Sequence, residues 1–213
     1  MEPSMSVAQH VATTSVRIVP TVDDVTSRRF YELYRETFGP LAVLAVNRHL
    51  LTEEEFMAVM VDKRVDKYLI CDDVTDEAIA MCTLTNHLET VTWVSAEYFA
   101  HHYPDHAARN AVYYLGFSLV DSSRRRVQLF TQLIMAVSET LFDQNAMCAY
   151  DICQFNNETL GLGDAVGAMV QQVGQVDVRA VDTQTYYTAV PVQPTHRRNS
   201  DITELFPGQR ATL

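Results

Sequence analysis

Residues 112–137 read VYYLGFSLVDSSRRRVQLFTQLIMAV, and two periodicities meet inside this stretch. Over 112–120 apolar and small residues alternate, which predicts a strand with Tyr113, Leu115, Phe117 and Leu119 on one face and Tyr114, Gly116 and Ser118 on the other. From 127 to 143 the spacing changes to that of a helix, with Phe130, Leu133, Ile134, Val137 and Leu141 forming one apolar stripe. Residues 146–153 return as a strand. A strand, a short basic turn, a helix and a second strand make a parallel crossover.

Outward from this unit, the other elements suit an antiparallel sheet. Residues 16–19 read as a strand ended by Pro20, and 27–38 as a helix with Ser27 as its cap and Gly39-Pro40 as its stop. Thr52 followed by Glu53, Glu54 and Glu55 marks another helix start, because the acids complement the dipole. Residues 68–71 and 78–84 form two strands around the acidic turn 72–77. Residues 159–173 read as a small-residue helix and 176–190 as a last hairpin. The fold class expected is α+β (α/β mixed), a mostly antiparallel twisted sheet with helices on both faces. One domain is expected over 16–191, between tails at 1–15 and 192–213, with one docked turn expected around Ser200 to Phe206.

The composition is that of an ordinary globular chain: 213 residues, 47% hydrophobic and 20% charged. Sixteen basic against 27 acidic residues leave a net charge of −11. That argues against nucleic acid as a partner, which needs clustered positive charge. No apolar run is long enough to span a membrane, and the first 15 residues lack the basic start and apolar stretch of a signal peptide. Cys71, Cys82, Cys148 and Cys153 show no paired spacing, so they are expected as small buried hydrophobes in the reducing cytoplasm. No metal site is expected: His102 and His106 stand four apart, but Pro104 lies between them and no third ligand is evident.

Within so acidic a protein, Arg124, Arg125 and Arg126 stand together where the helix begins. Cations there oppose the helix dipole, so a stabilising role explains them poorly. An anion held by both the free amides and the guanidinium groups explains them better, and phosphate is the natural one.

The stretch LVDSSRRRVQLFTQLIMAV, with the element order around it, resembles the GCN5-related N-acetyltransferase superfamily over roughly 16–191. That family carries a strand, then Arg/Gln-x-x-Gly-x-Gly/Ala, then a helix. Here Val120-Asp121 ends the strand and Arg125 takes the Arg/Gln position, while Gln128 and Phe130 replace the two small residues. The phosphate loop is therefore degenerate, and both side chains crowd an anion's approach. The resemblance implies acetyl-CoA or another acyl-CoA as co-substrate, bound by Leu119, Val120, Arg125, Arg126, Val127, Gln128, Leu129, Phe130 and Asn157. In that reading the backbone of 116–120 pairs with pantetheine, and an amide near Leu119 polarises the thioester carbonyl.

The tyrosine that usually protonates the departing thiolate in that family has no counterpart. Met169 falls near its place, and Tyr186 and Tyr187 are the substitutes within reach of this reading. Residues 87–110, HLETVTWVSAEYFAHHYPDHAARN, are about twice an ordinary connection and hold Trp93, four histidines and a short helix, SAEYFAHHY, ended by Pro104. The resemblance puts this insertion beside the acceptor, with Tyr98 or His102 as the base.

The function expected is transfer of an acetyl or other acyl group to an amine or hydroxyl of a small-molecule acceptor. An acyl-carrier-protein donor is an alternative within that class, and a homodimer an alternative assembly. The other class is a non-catalytic module that keeps the fold for ligand sensing or partner binding, which the replaced glycines and absent tyrosine favour.

Overall fold

The computed structural model describes residues 14–46, 50–121 and 126–190. Most of the two expected tails, the turn expected around Ser200, and the centre of the basic turn with Arg124 and Arg125 lie outside that range. The chain divides into two compact units, Met1–Arg179 and Ala180–Leu213. In the second, the described residues 180–190 carry no regular secondary structure, and the Thr183 amide donates to the Asp182 carboxylate over 2.7 Å.

The first unit is built on a five-stranded sheet whose spatial order follows the chain: β1 (Thr14–Val19), β2 (Asp66–Asp72), β3 (Ala78–Thr85), β4 (Val112–Val120) and β5 (Met147–Ala149). The first three pairings are antiparallel and the last is parallel. Helices α1 (Asp24–Phe38) and α2 (Glu53–Val61) cover one face. There Phe30, Tyr34, Phe56 and Met60 pack on Leu69, Met81 and Leu119. On the other face lies α5 (Arg126–Asp143), whose Leu129, Leu133, Ile134 and Val137 pack on Tyr68, Ile70, Cys82, Tyr113 and Leu115. A mixed α/β fold with a mostly antiparallel sheet between helices is thus observed.

Local signals explain several boundaries. Thr52 closes a full capping box with Glu55, each satisfying a backbone amide of the other. Ser95 caps α3 (Ala96–His102) by accepting from the Tyr98 amide over 3.1 Å. Pro104 does more than stop that helix: it opens α4 (Pro104–Ala108), so His102 and His106 sit on separate helices. Helix α1 starts earlier than Ser27 suggested, because Asp23 caps it. Ser27 is buried one turn inside and donates to the Val22 carbonyl.

Three expectations fail. The strand expected over 146–153 stops at Ala149 and gives way to a π-helical turn, Phe155–Thr159, so the helix expected over 159–173 is α6 (Leu162–Val170). The last hairpin is not formed: residues 175–190 carry no regular secondary structure. Alternation gives a segment two faces, but a strand also needs a partner for its amides and carbonyls. The third failure lies in β4. Cys82 is opposite Ser118, yet Leu84 is opposite Leu115, so two residues of β3 span three of β4. This bulge turns the later residues over. Tyr113 and Leu115 face α5, whereas Phe117 and Leu119 face α1 and α2.

Candidate functional site

The bulge and the short β5 together set where β4 has an open edge. Tyr114 opposite Ala149 is the last pair of the parallel ladder, and β4 runs on to Val120 paired, among the described strands, with β3 alone. Gly116 is the residue that permits the bulge, since a Cβ there would collide with the buried Thr83 hydroxyl. Past the bulge the register assigns the backbone groups. The Asp121 amide donates to the Ile79 carbonyl over 3.0 Å. Antiparallel residues alternate between facing the partner strand and facing away. Leu119, opposite Met81, therefore turns its amide to β3, while Ser118 and Val120 present theirs to the open edge.

The donor-side residues named from the sequence fall into distinct places. The Leu119 side chain is fully buried and that of Val120 half-buried. Arg126 opens α5, with its side chain, like Arg125, outside the described part. Val127 and Gln128 are exposed on the first turn, whereas Leu129 is core and Phe130 packs against that core. Asn157 is exposed on the π-helical turn, and its side-chain oxygen occupies the space that a Cβ on Gly163 would take. Met169, on α6, also packs against the α5-side core, and its sulfur accepts from the Thr131 hydroxyl over 3.8 Å.

Burial keeps several groups at the β4–β5 pairing and just beyond it in their neutral forms. Desolvation pushes the Cys148 thiol up to about 12, and it raises the Tyr150 phenol. Tyr113 is raised in the same way, while its hydroxyl donates to the Gln144 side-chain oxygen.

On the opposite face of β4, α3 and α4 close over Val112 and Tyr114. Tyr98 and His102 lie together on α3 with ring centroids 4.4 Å apart, and the His101 ring stands edge-on to His102 at 4.9 Å. Tyr98 and Tyr103 pack with Leu88, Val91 and Phe99 beneath the helix. The structure brings a further trio together here. The Trp93 indole N–H donates to the Tyr114 hydroxyl over 3.0 Å, and that hydroxyl donates to the Asp151 carboxylate. Asp151 was missed by the sequence reading; an acid directly after an apolar strand was its only signal. Among the described residues, no cluster of three or more His, Cys, Asp or Glu side chains is placed to hold a metal ion. No helix among them is long and apolar enough to cross a membrane.

The fold is that of the GCN5-related N-acetyltransferases. A Clostridium difficile 630 protein described as a possible acetyltransferase superposes with a TM-score of 0.51 at 12% identity, over 82% of this chain and 99% of that one. A probable acetyltransferase superposes at 0.50 and 14% identity, over 85% and 99%. The aminoglycoside N-acetyltransferase AAC(6')-Iy in complex with CoA gives 0.48 at 13% identity, over 84% and 98%. No family model and no curated protein matches the sequence.

Proposed function

We propose that the chain is an acyltransferase that moves an acetyl or other acyl group from acyl-CoA to an amine, or alternatively a hydroxyl, of a small acceptor. The observation that carries this reading is the end of the β4–β5 pairing after Tyr114–Ala149, which leaves the β5-side edge of β4 open over residues 115–120. The edge-facing groups of Ser118 and Val120 pair with the pantetheine amides, as an added strand would. The first-turn amides of α5 and the arginines at 124–126 take the phosphates. Asn157, exposed on the π-helical turn that follows β5, is the proposed contact to pantetheine.

In this geometry the thioester carbonyl lies at the bulge, where a strand amide stabilises the developing oxyanion. Holding donor and acceptor together supplies much of the acceleration. Tyr98 or His102 takes the proton that the acceptor loses. A cytoplasmic setting accords with four free cysteines.

One observation favours the second reading, a ligand-sensing module without catalysis. Met169, near the usual thiolate-protonating position, is engaged in packing and offers no acidic proton. Calorimetric titration with acetyl-CoA, repeated on Arg125→Ala, joined to an assay of thiol release across a panel of amines, separates the readings. The transferase binds acetyl-CoA saturably, binds it more weakly in the variant, and releases thiol only when an amine is present. Binding with no thiol release from any amine overturns catalysis and leaves the sensor. No binding overturns a free acyl-CoA donor and leaves a carrier protein as the donor to test.

A further inference from the structure

The buried polar and charged side chains among the described residues are Ser27, Lys67, Asp72, Thr83, Thr85 and Ser138. All but Thr83 have hydrogen-bond partners. Ser27, Thr85 and Ser138 donate to the carbonyls of Val22, Arg64 and Ile134. Lys67 donates to those of Pro20 and Asp62, and Asp72 accepts from the amides of Val74 and Thr75. Thr83 is 4% exposed, and its hydroxyl has no hydrogen-bond partner among the described residues. A buried hydroxyl without a partner is held at a cost, and a valine would fill the same space without it.

The place of that hydroxyl gives it a use. Cys82 and Leu84, on either side of Thr83, pack on the α5 face, so Thr83 faces α1 and α2. There its hydroxyl lies against Gly116, at the bulge. Gly116 is exposed and belongs to the part of β4 beyond its last pair with β5. Glycine puts no side chain between that open edge and the hydroxyl of the next strand.

We infer that Thr83 hydrogen-bonds the carbonyl oxygen of the bound acyl thioester, as a side-chain donor beside the strand amide. The inference rests on the acyltransferase reading, which sets the thioester at the bulge. As the acceptor nitrogen bonds to the carbonyl carbon, the π electron pair moves onto oxygen, and the base takes the nitrogen's proton. The pair returns when the carbon–sulfur bond breaks and the thiolate leaves. Thr83 keeps its own proton throughout. A donor fixed in advance toward an oxygen that gains charge lowers the barrier to that addition.

Two ligands that differ only in the acyl group isolate the contact: acetyl-CoA, and CoA, which ends in the thiol. Calorimetry on the full chain gives both affinities for the native protein, Thr83→Val, Thr83→Ala and Thr83→Ser. Valine keeps the volume; alanine removes any crowding against Gly116, so one variant without the hydroxyl serves if the other fails to fold. CoA binding shows that a variant is folded with its donor site standing. Thr83→Val and Thr83→Ala bind CoA as the native chain does and acetyl-CoA about twofold to tenfold more weakly. Thr83→Ser keeps the native affinity for both.

Infrared difference spectra with an isotopically labelled acetyl carbonyl read the bond itself. The carbonyl stretch lies at lower frequency in the native complex than in the Thr83→Val or Thr83→Ala complex, because a hydrogen bond weakens the C=O bond. An equal loss of both ligands, or a carbonyl frequency that the variants leave unmoved, overturns the role of Thr83 and leaves the transferase reading standing. A native chain that binds no acetyl-CoA overturns the free acyl-CoA donor and this inference with it.

Discussion

Gly116 lies against the side chain of Thr83, and the space that a Cβ would need is already taken by the threonine hydroxyl. This contact between neighbouring strands holds the bulge in place, and the cleft depends on the bulge. Gly116→Ala forces the two strands apart, at a cost of about 1–3 kcal/mol, the usual range for overpacking. Urea denaturation measures it. Adding Thr83→Ala makes room for the methyl group, so the double variant is more stable than the sum of the two single losses predicts.

Lys67 is fully buried, with its ammonium donating to the carbonyls of Pro20 at 2.9 Å and Asp62 at 2.7 Å. Burial lowers its pKa to about 8, against 10.5 for an ordinary lysine, although Asp62 and Asp66 act the other way. Between those values the unfolded chain holds the proton more tightly than the folded one, so this group makes stability rise with pH. Urea midpoints measured from pH 7 to 10 show the rise, and Lys67→Met removes it relative to the native chain.

Thr52 and Glu55 form a reciprocal cap at the start of α2. Thr52→Ala leaves the Glu55 amide without its side-chain partner and costs about 1 kcal/mol. Thermal and urea unfolding both register the loss. Acetyl-CoA affinity stays unchanged, because the cap lies at the exposed first turn of α2 and leaves the stacking of Phe56 on Phe117 of β4 in place.

Leu133 has no exposed surface and sits at the middle of the α5 stripe, against the sheet. Leu133→Ala opens a cavity there and destabilises by about 2–5 kcal/mol. Chemical denaturation gives the value, and acetyl-CoA calorimetry on the folded fraction shows whether the α5 amides still present to the donor.

Much of this architecture was legible because its signals are local. The alternation over 112–120, the stripe of α5, the Thr52 acids and the Ser95 cap each express a rule that operates within a few residues, and each element formed. The bulge is different. A period of two cannot reveal where the count slips, and only the lone glycine inside the strand hinted at it. The end of β5 at Ala149 and the failure of 175–190 to form a hairpin depend on what lies beside those segments. The meeting of Trp93, Tyr114 and Asp151 joins three distant parts of the chain, which is invisible without the sheet register.

The five strands lie side by side in the order in which they are synthesised. Each strand that leaves the ribosome finds its partner already made, and no strand has to be inserted between two others. The parallel pairing, the one that needs a helical crossover, is also the last among the described strands. The cleft is therefore the final part of the sheet to take shape. A nascent chain cut short before residue 147 would carry four paired strands and only one wall of its site.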